Sequence, residues 1–173
     1  MIIDLTIIII IVYSLIMGYR RGIWLNSLHL FSTIVSFIIA HQFYQRISQQ
    51  LIVFLPFPKT IAYDMAYAFH FNDLQQRFDK VMAFLLIASI CKLILYLIII
   101  TFDNIVTYRM INQMSRRFGS LISVVMAVVI LQLFIYVLAL YPIEWIQHSL
   151  QHAYIGKLIL FHTPFFSSYI LNL

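Results

Sequence analysis

The sequence predicts an all-α protein of the membrane-embedded class: an integral bundle of four transmembrane helices with amphipathic helices lying at the interface. Three observations predict it. Hydrophobic residues make up 63% of the 173 positions and charged residues 10%, against roughly 25% charged in ordinary soluble domains. Four apolar runs approach or exceed the roughly 20 residues that cross a bilayer. A tight pair of arginines, Arg20 and Arg21, separates the first two runs, and paired basic residues in a short loop hold that loop on the cytoplasmic side.

The length suits one membrane domain, residues 1–173, without a separate soluble domain. Eleven basic against six acidic residues give a net charge of +5. Most of the basic residues lie in connections, where they meet lipid headgroups and set orientation, so nucleic acid is not expected as a partner. Cys91 is the single cysteine and lies in an apolar run, which excludes an internal disulfide and a cysteine-based metal site. The N-terminus lacks a basic n-region and a small-residue cleavage site, so the first run is expected to remain as a helix.

The first span is expected over about residues 2–17, with Asp4 near its start. Gly18-Tyr19-Arg20-Arg21-Gly22 forms the turn, and the second span covers residues 23–40. The third, residues 81–102, is interrupted by Lys92, and the fourth, residues 119–141, by Gln132. Connection 103–118 holds Arg109, Arg116 and Arg117 against Asp103, which places it on the same side as the Arg20–Arg21 turn. Connection 41–80 carries a weaker bias, with Arg46, Lys59, Arg77 and Lys80 against Asp64, Asp73 and Asp79. Both termini then face outward. Phe43, Ile47, Leu51 and Phe54 recur at helical spacing until Pro56-Phe57-Pro58, so the second helix should extend along the interface. Tyr63, Tyr67, Phe69, Phe71 and Phe78 then suit a second surface helix at headgroup level. In the tail, residues 142–173, Ile143, Ile146, Leu150 and Tyr154 make one face and Gln147, His148 and Gln151 another, again the pattern of a helix on the membrane surface.

Inside the spans, Asn26, His29, Thr33, Ser36 and Ala40 recur at steps of three and four, one stripe expected to face protein. Gly119, Ser123 and Ala127 form a small-residue face on the fourth helix that could receive it. Lys92 lies about 16 Å of helix from either end of its span, too deep for its side chain to reach water easily. Such a lysine should face the bundle or a cavity, with Gln132 and His29 as candidate neighbours. His148 and His152 stand at i and i+4, with Glu144 and His162 nearby, a spacing that admits a metal, yet no cysteine or carboxylate cluster supports one. Ser149 has no triad order around it, and no HExxH or phosphate loop occurs, so an enzyme is not expected. No cofactor is expected.

Asp4, Tyr13, Gly18-Tyr19-Arg20-Arg21-Gly22 and the second helix ending at Ala40 resemble the colicin V production (CvpA) family. The basic stretch Arg109 to Arg117 leading into Gly119, then Ser149 and Tyr154-Ile155-Gly156-Lys157 to His162-Thr163-Pro164, are similar to the family's later landmarks. The resemblance implies a small polytopic protein of the bacterial cytoplasmic membrane, accessory to colicin-type toxin production or export and to envelope homeostasis. Asp4, Gly18, Arg20, Arg21 and Gly22 are the matched positions, and the resemblance brings no catalytic residues. Expected partners are the lipid bilayer and other membrane proteins or further copies of the chain. In the first reading the polar stripe and the arginine turn are contact surfaces. The rival reading is a small transporter or channel whose path is lined by His29, Lys92 and Gln132. For the matched residues taken singly, orientation accounts for the arginines, with lipid headgroup binding as their functional alternative, and capping of the first helix accounts for Asp4.

Overall fold

Gly22, with φ 74° and ψ 178°, breaks the first helix of the chain and sets the architecture around it. That combination is open to glycine and almost closed to every other residue. A computed structural model describes residues 2–54, 57–103, 112–164 and 166–172. Helix α1 (Ile2–Phe54) holds two arms, residues 2–21 and 23–54, that meet at this glycine. Next come α2 (Lys59–Asp64), α3 (Leu74–Asp103), α4 (Gln113–Leu140), α5 (Glu144–Gln151), α6 (Tyr154–His162) and α7 (Phe166–Leu171). The protein is all-α, with no strand among the described residues.

The arms fold back on each other. Asn26 Nδ2 donates to both Gly18 O (2.9 Å) and Gly22 O (2.8 Å), whereas carbonyls four residues apart in a helix are separated by about 6 Å along the axis. Helix α4 runs beside both arms from the same end. Ser14, eight residues before the break, exchanges hydrogen bonds with Ser123, and Ile23 N donates to Ser115 Oγ. Thr33 and Ser36, beyond the break, share a cavity wall with Ile130 and Leu133, further up α4. Helix α3 runs antiparallel to the second arm, since Lys92 and Tyr96 meet His29 whereas Phe84 meets Phe37 and Tyr44.

Three helical stretches are long and apolar enough to cross a membrane: Ile2–Leu51, Leu74–Thr101 and Gln113–Leu140. Their outward faces carry Leu5, Ile9, Leu93, Leu97, Leu121 and Phe134, all exposed, as lipid contact requires. The arm junction and the start of α4 lie at one end of the bundle, the basic end. Phe54, Leu74, Leu140 and the tail helices lie at the other.

The helices start and stop differently from the apolar runs. Helix α3 begins at Leu74, not near residue 81, because Leu74, Phe78 and Val81 continue its inward face, and Phe78 and Val81 are buried. Helix α4 begins at Gln113, where Asn112 Oδ1 accepts from Gln113 N at 2.8 Å. The second arm does continue to Phe54, but among the described side chains its buried residues beyond Ala40 are Tyr44 and Ser48, and Phe43 is exposed.

Segment 57–73 holds the six-residue α2 and then irregular backbone, not the expected surface helix. Its rings pack into the bundle's end: Phe69 and Phe71 lie against Phe161, Phe71 against Tyr136, and Phe57 against Phe78. Pro56 and Arg109, and the side chains of Phe54, Tyr63, Asp64 and Asp103, lie outside the described residues.

The tail also docks on the bundle. Gln147, expected on the wet face of α5, is 1% exposed, and Tyr154, expected on the apolar face, is 77% exposed. Gln147 Nε2 donates to Tyr141 O (2.9 Å) and to Leu138 O and Ala139 O (3.2 Å each), and its Oε1 accepts from Ala68 N (3.0 Å). One amide side chain thereby meets carbonyls that the last turn of α4 leaves without helical donors.

Candidate functional site

Three clusters of polar and small residues organise the bundle. The first is the glycine junction. A Cβ on Gly18 would lie 2.5 Å from Ser123 Cβ and 2.8 Å from Ser120 Cα; one on Gly119 would lie 2.5 Å from the Gly22 carbonyl carbon. The arms thus approach α4 backbone to backbone, a contact that only residues without side chains permit. Asn26 closes the junction from within. The small face of α4 receives Ser14 and Gly18 of the first arm at Ser123 and Gly119.

The stripe itself is buried in full. Asn26, His29, Thr33, Ser36 and Ala40 are each 7% exposed or less. Its partner is Lys92 on α3. Lys92 Nζ donates to His29 O (2.6 Å), to Thr33 Oγ1 (2.7 Å) and to Ser32 Oγ. Ser32 and Thr33 in turn donate their hydroxyls to His29 O, at 2.8 Å each. The ammonium therefore meets three oxygens, matching its three N–H groups. The His29 ring stacks on Tyr96, with centroids 5.6 Å apart. A cavity of about 110 Å³ adjoins Lys92 and is bordered by Thr33, Ser36, Ser89, Leu133 and Phe134.

Gln132 does not join Lys92. It is fully buried on another face of α4, where its Nε2 donates to Ser167 Oγ (3.0 Å) and Leu160 O (3.2 Å), tying α6 and α7 to the bundle. The line of Lys92, His29 and Gln132 expected from the sequence is thus split between two sites.

The third cluster centres on Asp4. Its carboxylate accepts from the backbone N–H groups of Tyr154 (3.1 Å), Ile155 (3.0 Å) and Gly156 (3.2 Å). Asp4 caps α6, about 150 residues away in sequence, where its charge also meets the positive end of that helix. Gly156 packs close by, with an added Cβ lying 3.7 Å from Ile3 and 3.8 Å from Ile7.

At the basic end, Arg20, Arg116 and Arg117 are exposed and Arg21 half-buried. Arg116 lies over the Tyr19 ring, 5.7 Å from its centroid. At the opposite end Arg77 Nη1 donates to Tyr136 Oη (3.0 Å) and Leu171 O (2.6 Å), anchoring α7. Tyr169 of α7 pairs with His41 Nδ1 at 2.8 Å, and burial, with a smaller effect of Tyr44, pushes its phenol above the usual range. The His148 and His152 rings lie 4.7 Å apart, yet no group of three or more His, Cys, Asp or Glu among the described residues is placed to hold a metal.

A family model described as Colicin V production protein matches residues 3–164, from the Asp4 helix through the tail it caps. The chain belongs to that family. It is also 24% identical over 170 residues to the "Uncharacterized transmembrane protein YshB" of Bacillus subtilis (strain 168), covering 98% of this chain and 96% of that protein. No solved structure matches the chain.

Membership in the colicin V production family agrees with the motif Asp4 … Gly18-Tyr19-Arg20-Arg21-Gly22, and the geometry gives each matched residue a physical task. Gly18 and Gly22 shape the junction, Asp4 holds the tail, and the arginines lie at the end where the arms meet. Ser14, Ser32, Gly119 as a partner of Gly22, Gln147 and Arg77 go unremarked or misassigned in the sequence reading. Ser32 lies one residue off the stripe's spacing, and a pattern search by helical period passes it over.

Substitution of Asp4 tests the tail clamp. Asp4→Ala leaves three N–H groups at the start of α6 without their acceptor and should cost about 1–2 kcal/mol, whereas Asp4→Asn, which keeps one acceptor oxygen, should cost less. Hydrogen exchange across residues 154–162 reads the effect directly. Unchanged protection in Asp4→Ala would show that packing alone holds α6.

Proposed function

We propose that this colicin V production family member is a four-span, non-enzymatic accessory protein of the bacterial cytoplasmic membrane, acting in colicin-type toxin production or export and envelope homeostasis by contact with other membrane proteins. The observation that carries this reading is where the intramembrane polar groups go. Asn26, the Ser14–Ser123 pair, Lys92 and the Gln132 amide nitrogen are all bonded within the chain. The bundle therefore offers partners its outer surface. Because the stripe is buried, the contact surface is assigned to exposed apolar faces, such as those around Leu97 and Phe134.

The Gly22 break supports counting α1 twice, because each arm is about 20 residues or longer and both run beside α4. Arg20, Arg21, Arg116 and Arg117 lie together at the end where the arms meet, which supports a cytoplasmic basic end with both termini outside. In a Cys91→Ser background, a cysteine replacing Tyr154 should react with an impermeant maleimide in intact cells, and one replacing Arg20 only after permeabilisation. The reverse pattern would overturn the orientation.

Photo-crosslinkers at Leu97 and Phe134, in native membranes at native expression, should capture discrete proteins. Capture of lipid alone at both positions would count against the accessory reading. The rival, transport beside Lys92, rests on the 110 Å³ cavity, which has room for about three waters. Solute flux in proteoliposomes that Lys92→Met abolishes would favour it.

A further inference from the structure

The basic end is built from arginine alone. Segments 18–22 and 103–118 hold five arginines and no lysine, whereas the chain's four lysines, Lys59, Lys80, Lys92 and Lys157, all lie elsewhere. Orientation requires positive charge, and either residue supplies it. A guanidinium differs from an ammonium in geometry: its planar fork grips phosphate through two parallel N–H···O bonds, where lysine acts as a point charge.

Four of these arginines lie at one end of the bundle. Arg20 and Arg21 come from the arm junction and Arg116 and Arg117 from the start of α4, and the Ile23 N to Ser115 Oγ bond (3.1 Å) ties the two pieces together. Arg116 is steadied by the Tyr19 ring. Among the described residues the side chains of Arg20, Arg21 and Arg117 make no hydrogen bond or ion pair. Around them Tyr19, Trp24 and Phe118 are 41%, 67% and 55% exposed. Such rings settle where headgroups meet acyl chains. Guanidinium forks level with interfacial rings lie at the depth of lipid phosphates.

We propose that Arg20, Arg21, Arg116 and Arg117 form a binding site for the phosphate of an anionic phospholipid, whose acyl chains lie against Trp24 and Phe118. The site is independent of the protein contacts proposed above. It also gives the two adjacent arginines of the turn a task beyond orientation.

Native mass spectrometry of the full chain in neutral detergent, titrated with phosphatidylglycerol or phosphatidylcholine, tests the proposal. Phosphatidylglycerol should bind at least about tenfold more tightly, and the variant R20K/R21K/R116K/R117K, with its net charge unchanged, should lose about that factor. If the quadruple variant loses its folded peak, R20K/R117K, which changes two exposed side chains, should still lose about threefold. Equal binding of phosphatidylglycerol by the folded lysine variant would overturn the guanidinium site. Equal binding of the two lipids would also overturn it and leave the arginines to an acidic protein partner or to orientation alone. Displacement of the lipid by inorganic phosphate below millimolar concentration would overturn the lipid assignment in favour of a free phosphate.

Discussion

Gly119→Ala should destabilise this protein more than Gly22→Ala or Gly156→Ala does. The new Cβ would lie 2.5 Å from the Gly22 carbonyl carbon, 2.7 Å from its oxygen and 2.9 Å from Gly18 O. All three are backbone atoms of the arm junction, so no side chain can swing aside to make room. Overpacking in a tight core costs about 1–3 kcal/mol and occasionally more, and a collision with two backbones belongs at the top of that range. Alanine's better helix propensity, worth about 1 kcal/mol, offsets only part of it. Gly22→Ala should cost about 1–3 kcal/mol for a different reason, the strain of its φ 74°, ψ 178° backbone. Gly156→Ala is the control, because its Cβ would meet Ala153 Cβ at 3.3 Å and otherwise find ordinary contacts. Thermal unfolding in one detergent should rank the three with Gly119→Ala lowest in Tm and Gly156→Ala nearest the wild type. A Gly119→Ala protein with the wild-type Tm would refute the backbone contact between α1 and α4.

Lys92→Glu should prevent stable folding, whereas Lys92→Met should leave stability unchanged or raise it. The ammonium donates to three oxygens, and a carboxylate in its place would bring two acceptors against them. Ser32 and Thr33 can turn their hydroxyls toward the new group, but only by giving up their bonds to His29 O, which would still face the negative charge. A buried charge without a partner costs about 3–5 kcal/mol. Methionine behaves differently, because both hydroxyls keep His29 O as their acceptor and no orphaned donor is left behind. It also removes a lysine that costs roughly 2.5–3.5 kcal/mol to insert near the midplane. Unfolding of the three proteins in parallel decides the matter. If Lys92→Met falls by more than about 2 kcal/mol, the ammonium is a structural cross-link between α1 and α3. If it does not, retention of so costly a residue argues for a role in function.

Part of both sites is legible in the sequence. Gly18 and Gly22 mark a turn in any reading of the sequence, since glycines flank the arginines between two apolar runs. That Gly119 sits on the carbonyl of Gly22 is a fact of packing between segments about 100 residues apart, and no local pattern encodes it. Lys92 stands out in the sequence by depth, and His29 at matching depth is a candidate neighbour. Its other two acceptors, Ser32 and Thr33, follow from which way α3 rotates against the second arm. Gln132 was misplaced for the same reason, since a polar residue on a long apolar helix has a depth in the sequence but no azimuth until its neighbours are known.

The ends of the bundle show where helical period stops being informative. Aromatic residues mixed with charges in segment 41–80, and an amphipathic pattern in the tail, suit a membrane surface and a protein surface equally well, because both are apolar on one side and wet on the other. Gln147 illustrates the limit: an amide that looks solvent-facing by period is buried against the last carbonyls of α4. Asp4 illustrates it again, a carboxylate near one helix start that caps another helix through three backbone N–H groups.

By itself, the sequence determined the helical membrane class, the glycine-arginine turn, the clustering of positive charge at one end and the family, because hydrophobic length, charge bias and short-range turn chemistry are local properties. The tertiary structure alone decided which faces meet: Gly119 on the arm junction, Lys92 in its cage of three oxygens, Gln132 apart from it, and Asp4 on the tail. Each of these depends on helix rotation and on contacts distant in sequence, which side chains select only by packing together.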